Sequence, residues 1–248
     1  MIEKRGQVTI FIIIGVIIVA SVGVLIAFSG KNLTLKSDAP ASTQPVYDLV
    51  QECFKEVGKV GLGEIGKQGG YFILMDDTPS IDGRIPYYVD NGTNLMPSKE
   101  LIGNHLAGFI QEELPFCIKN FKNYTYNKSN ITITHEIQDV NVSFIEENVV
   151  IRANYAISLR INNNSYSLND FRVEIPFDFN LFYSKLNASV QNVVTYYPEF
   201  CLTCLYDLSS EKKIYIDMLP YGNSTLFTIT DKEIYLNKEP YSWSFATK

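Results

Sequence analysis

From Val8 to Phe28 the chain carries no charged side chain, and this run follows directly on a basic stub, Lys4-Arg5-Gly6. At helical rise, about 21 such residues span roughly the 30 Å hydrocarbon core of a bilayer, so the segment predicts one N-terminal transmembrane helix with the lipid bilayer as its partner through residues 8–28. A cleaved secretory signal carries a shorter apolar region, of roughly 7 to 15 residues. Because Lys4 and Arg5 precede the run, the positive-inside bias sets the N-terminus in the cytoplasm and the remainder outside, at the plasma membrane. Lys31 and Lys36 dilute that bias, so the orientation needs a second observation.

The asparagines supply it. Acceptor tripeptides Asn-x-Ser/Thr begin at Asn32, Asn91, Asn123, Asn127, Asn130, Asn141, Asn163, Asn187 and Asn223. With about 20 Asn in the chain, chance spacing gives roughly two or three such sites, so the excess predicts N-glycosylation on surface loops and strand edges. An Asn- and Thr-rich composition also makes such tripeptides freely, and the tripeptide permits the modification without compelling it.

About 200 residues follow the apolar run, enough for one domain with a sizeable core or two small ones sharing an interface. A net charge of -6 removes nucleic acid from the partners, since phosphate binding needs a basic surface. Residues 30–45, with Ser-Asp-Ala-Pro and Gln-Pro, read as a linker. Val46, Leu49, Val50, Cys53, Phe54, Val57, Val60 and Ile65 then recur at three and four, predicting an amphipathic helix that ends at the Gly66 to Gly70 cluster. Short apolar runs at Tyr71–Met75 and Ile85–Val89 predict strands, with turns at Asp82-Gly83 and Asp90-Asn91-Gly92. Ser98 caps a second predicted helix running from Leu101 to Phe121, which Pro115 should bend or interrupt.

The period then changes from helical to alternating. Ile131 to Phe144, Val149 to Ile161 and Phe171 to Phe177 predict three strands of an antiparallel meander, turning at Glu146-Glu147 and Asn162-Asn163, with a bulge near Gln138-Asp139 where the phase slips by one. Asp178 caps a third helix to about Val194, and strands follow near 214–218, 226–229 and 241–245. The predicted fold class is α+β: one N-terminal transmembrane helix, then an extracellular head with two amphipathic helices and an antiparallel β-meander plus helix. The segments are 1–29, stub and span; 30–45, linker; 46–125, helix-rich; and 126–248, β-rich.

Four cysteines outside a reducing cytoplasm predict disulfides. Cys53 and Cys117 each lie in the apolar stripe of a helix, which favours a bridge between the two, leaving Cys201 and Cys204 to close a small loop. The Cys-x-x-Cys at 201–204 also admits thiol redox chemistry, with the first thiolate activated at a helix start, but a thioredoxin-type site wants a strand, the motif and then a long helix, whereas Tyr206–Lys213 reads as short and polar. Gly61-x-Gly63-x-x-Gly66 matches a dinucleotide fingerprint in letters only, since a helix precedes it where a strand is required. Asp76, Asp77 and Asp82 do not have EF-hand spacing, and Glu112-Glu113 and Glu146-Glu147 read as solvated. With only His105 and His135 in the chain, no catalytic, cofactor or metal constellation is assembled.

Lys4-Arg5-Gly6-Gln7 running straight into the apolar segment resembles the class III signal of archaeal type IV pilin-like surface proteins. The resemblance covers about residues 1–28, and Phe11 stands where many members carry glutamate. It implies cutting between Gly6 and Gln7 by a prepilin peptidase. The sequence as a whole predicts a membrane-anchored, glycosylated cell-surface protein with a non-enzymatic interaction or envelope role, through self-association or a surface partner. The alternatives are a minor or adhesive filament subunit processed after Gly6, and a surface thiol-redox protein using Cys201 and Cys204.

Overall fold

A computed structural model describes residues 42–121 and 131–248, which belong to one compact unit. In chain order these are α1 (Gln44–Lys67), β1 (Ser80–Ile81), β2 (Ile85–Asp90), β3 (Thr93–Asn94), α2 (Lys99–Cys117), a 3-10 turn (Lys119–Phe121), β4 (Ile131–Ile145), β5 (Asn148–Ile161), β6 (Asn164–Pro176), α3 (Phe179–Tyr196), α4 (Leu202–Lys212), β7 (Ile214–Tyr221), β8 (Ser224–Leu236) and β9 (Glu239–Thr247). Strands β4, β5 and β6 form a three-stranded antiparallel meander. The other sheet has the order β1-β2-β9-β8-β7, with β3 paired to β2. It is antiparallel except where β2 meets β9 in parallel, Tyr87 opposite Ala246 and Val89 opposite Thr247.

Helix α1 forms because Val46, Val50, Cys53, Phe54, Val57, Leu62 and Ile65 fall on one buried stripe, which packs on α2, β6 and β9. It ends in a Schellman motif: Gly69 takes a φ of 58°, Gly70 N–H donates to Ile65 O at 2.6 Å and Gly69 N–H to Gly66 O at 3.3 Å. Two earlier glycines permit close approach. A Cβ on Gly61 would lie 2.7 Å from Leu106 Cδ1, and one on Gly66 would lie 2.7 Å from the carbonyl oxygen of Ser242. Ser98 caps α2 through Leu101 N–H, and Asp178 caps α3 through Leu181 N–H at 2.8 Å.

Long strands β4 and β5 alternate because one face packs on the helices, and their register slips at Gln138 between Ile137 and Asp139. The hairpins are tight, with only Glu146-Glu147, Asn162-Asn163, Gly222-Asn223 and Asn237-Lys238 between paired residues. Between α3 and the six-stranded sheet lies an aromatic core of Tyr88, Phe179, Phe182, Phe227, Tyr241, Trp243 and Phe245, each no more than 2 % exposed. Their polar tips are satisfied: Trp243 Nε1–H donates to Tyr88 Oη at 2.9 Å, Tyr88 Oη donates to Gly69 O at 2.8 Å, and Tyr241 Oη donates to Leu62 O at 2.9 Å. Burial pushes both tyrosine pKa values upward, so the hydroxyls stay neutral donors.

The expected fold class is corrected on several points. No helix among the described residues is long and apolar enough to cross a membrane, and the expected span at 8–28 lies outside the described residues. The described part has four helices, and beside the meander it carries a second, six-stranded sheet with a parallel pair. Tyr71–Met75 is not a strand: past the Schellman turn the chain runs irregularly, with Ile73 and Met75 each 62 % exposed. Helix α2 continues through Pro115 to Cys117. Residues 202–212, where no helix was expected, form α4.

Candidate functional site

The two disulfides occupy different settings. Cys53 on α1 and Cys117 at the end of α2 are joined across a Cα separation of 5.7 Å and staple the helix pair. Beside them Val57, Val60, Phe109 and Phe116 line an open depression of about 220 Å³. Cys201 and Cys204 are joined at a Cα separation of 5.2 Å. Cys201 is the N-cap of α4, and its Sγ accepts the N–H of Cys204 at 3.2 Å. Leu202 and Tyr206 stand exposed around the pair, while Phe200, just before it, packs edge-on against Phe227 at 5.4 Å. The motif therefore starts a helix, the feature that the polar sequence of 206–213 had concealed.

The described acceptor asparagines, Asn91, Asn141, Asn163, Asn187 and Asn223, are all exposed. Asn91 with Gly92, Asn163 with Asn162, and Asn223 with Gly222 form the tips of the β2–β3, β5–β6 and β7–β8 hairpins. Asn141 lies on β4, a border strand of the meander. Asn187 differs, because it sits inside α3 and its partner hydroxyl, on Ser189, is 1 % exposed and donates to Lys185 O at 3.0 Å. Gly6, Gln7, Asn32, Asn123, Asn127 and Asn130 lie outside the described residues.

The remaining candidates are dispersed. Asp76 and Asp77 are exposed, and Asp82 accepts the Tyr221 hydroxyl. Among the described residues no group of three His, Cys, Asp or Glu side chains can hold a metal ion. His105 lies against Tyr71 at 4.8 Å between ring centres. His135 Nδ1 shares a 2.8 Å hydrogen bond with Tyr155 Oη, and desolvation lowers the pKa of both histidines. Open clefts of about 290 Å³ between α1 and the β8–β9 hairpin, and about 340 Å³ between α1 and β6, are lined by side chains of both charge signs.

One cluster escaped the sequence reading. Lys185 of α3 and Asp231 of β8 are 4 % and 0 % exposed, with Nζ 2.8 Å from Oδ2. Asp231 Oδ1 accepts the N–H groups of Glu233 at 2.8 Å and Ile234 at 3.0 Å, where the β8–β9 register breaks. Glu233 Oε2 stands 3.6 Å from Lys185 Nζ, and its other oxygen pairs with Lys213, which lowers the Glu233 pKa and raises that of Lys213. The available signal was charge in the wrong phase: Asp231 continues the inward alternation of Phe227 and Ile229, and Lys185 adjoins Phe182 and Leu186 on the apolar side of α3.

Comparison of the chain with protein-family models, with curated proteins and with solved structures finds no match.

Proposed function

We propose that residues 42–248 form an extracytoplasmic, disulfide-stapled and glycosylated module with a non-enzymatic interaction or envelope-structural role, presented at a cell surface. The observation that carries this reading is the placement of the acceptor asparagines: all five described ones are exposed, and three of them occupy hairpin tips. Both cysteine pairs being disulfides supports the same compartment. Peptide mass spectrometry of protein from its native cell tests the reading. Glycans on Asn91, Asn163 or Asn223 with oxidised cysteines are expected; nine bare acceptor sites with free thiols would sink it. The same experiment reads the first residue of the mature chain, and a start at Gln7 would make it a processed, pilin-like filament subunit.

A second reading is favoured by one observation. Cys201 at the N-cap of α4 is placed where helix-end N–H groups stabilise a thiolate, as thiol exchange requires. A measured reduction of a model disulfide by the reduced protein, lost in Cys201→Ser, supports that role. Absence of exchange in the intact protein removes it.

A further inference from the structure

We propose that Lys185 and Asp231 condense to an amide, a covalent tie between α3 and β8. The inference extends beyond the surface role proposed above and rests on the cluster's own geometry. Nζ of Lys185 and Oδ2 of Asp231 are 2.8 Å apart and buried, yet not aligned as hydrogen-bond donor and acceptor, and neither atom has another hydrogen-bond partner. Asp231 Oδ1 is satisfied by two backbone N–H groups, but the Nζ–Oδ2 contact carries no hydrogen bond of its own to offset its share of the desolvation cost. Condensation removes both charges.

The neighbouring groups supply what amide formation needs. Glu233 is ionised and its Oε2 stands 3.6 Å from Nζ; a small side-chain shift to hydrogen-bond distance lets it take one proton from the Lys185 ammonium and pass it to Oδ2 of Asp231, leaving a neutral amine beside a neutral carboxylic acid. The freed lone pair attacks Cγ of Asp231 and forms the C–N bond. Charge collects on Oδ1, which the N–H groups of Glu233 and Ile234 already hold at 2.8 and 3.0 Å, an arrangement equivalent to an oxyanion hole. Glu233 then relays one proton from the nitrogen to the protonated Oδ2, which departs as water when the C–O bond breaks and the Cγ–Oδ1 double bond reforms. An ammonium and a carboxylate become one amide and one water, with no net proton, oxidant or reductant consumed.

The test is a tryptic peptide map of the full chain after reduction of its disulfides. The expected result is loss of cleavage after Lys185, with segment 173–212 joined to segment 214–232 at a mass one water below their sum. Lys185→Arg and Asp231→Ala should restore cleavage after residue 185 and yield free segments 173–185, 186–212 and 214–232, and Glu233→Gln should slow the joining by about 100-fold. A wild-type map containing free, unjoined segments overturns the proposal, and that measurement does not depend on any variant folding. Joining at the wild-type rate in Glu233→Gln would overturn the assigned role of Glu233.

Discussion

Gly66 and Gly63 stand three residues apart on α1 and meet different surroundings. A Cβ on Gly66 would reach the Ser242 carbonyl oxygen at 2.7 Å, whereas one on Gly63 finds its nearest neighbour, Leu236 Cδ2, at an ordinary 3.7 Å. Gly66→Ala should therefore destabilise by about 1–3 kcal/mol, since backbone cannot yield as a side chain can. Gly63→Ala should stabilise by roughly 0.5–1 kcal/mol through helix propensity. Urea melts of the two variants check the opposed signs. Tyr88→Phe removes the acceptor of Trp243 and the donor to Gly69, and should cost about 1–3 kcal/mol in the same assay. His105 and His135 add a pH term. Their folded pKa values lie below the ordinary 6.5, so the unfolded chain binds more protons at acid pH. Their contribution is present above pH 6.5 and declines as pH falls through the folded values. His135→Gln should flatten part of the slope of melting temperature against pH in that window.

At the level of elements, the two bridges should differ in worth. Cys53–Cys117 closes a separation of 64 residues and Cys201–Cys204 one of 3. Chain entropy assigns about 4 kcal/mol to the first and about 1.5 kcal/mol to the second. Replacing Cys53 and Cys117 together with Ala should accordingly lower the denaturation midpoint well beyond the effect of replacing Cys201 and Cys204; equal losses would contradict this account. Legibility in the sequence followed the same local physics. Helices α1, α2 and α3 could be read because their stripes recur at 3.6 and because Ser98 and Asp178 mark two of the starts. The meander could be read from strict alternation, including the slip at Gln138. Helix α4 was missed because it buries only Leu205 and so leaves no stripe. Tyr71–Met75 misled because an apolar run does not state whether its backbone finds a ladder partner. Asp231 was overlooked since the strand was stopped at Ile229, where the apolar alternation ends.

The molecule as a whole is joined by a contact that no local pattern announces. Strand β9 lies between β2 and β8, and Lys248 N–H donates to Val89 O while Asn91 N–H donates to Lys248 O, each near 3 Å. The helix-rich and β-rich segments thus share one sheet. Heating should show a single transition by both near- and far-ultraviolet circular dichroism, and two separated transitions would refute a common core. The β2–β9 pairing also sets an order of events. The six-stranded sheet cannot close until Thr247 has been synthesised, so β2 waits through more than 150 residues of elongation for its parallel partner. Asn187 becomes a clock for that interval, because its partner hydroxyl on Ser189 is sealed once α3 docks. A sugar at Asn187 dates glycan transfer before closure, and a bare Asn187 beside filled hairpin tips dates it after.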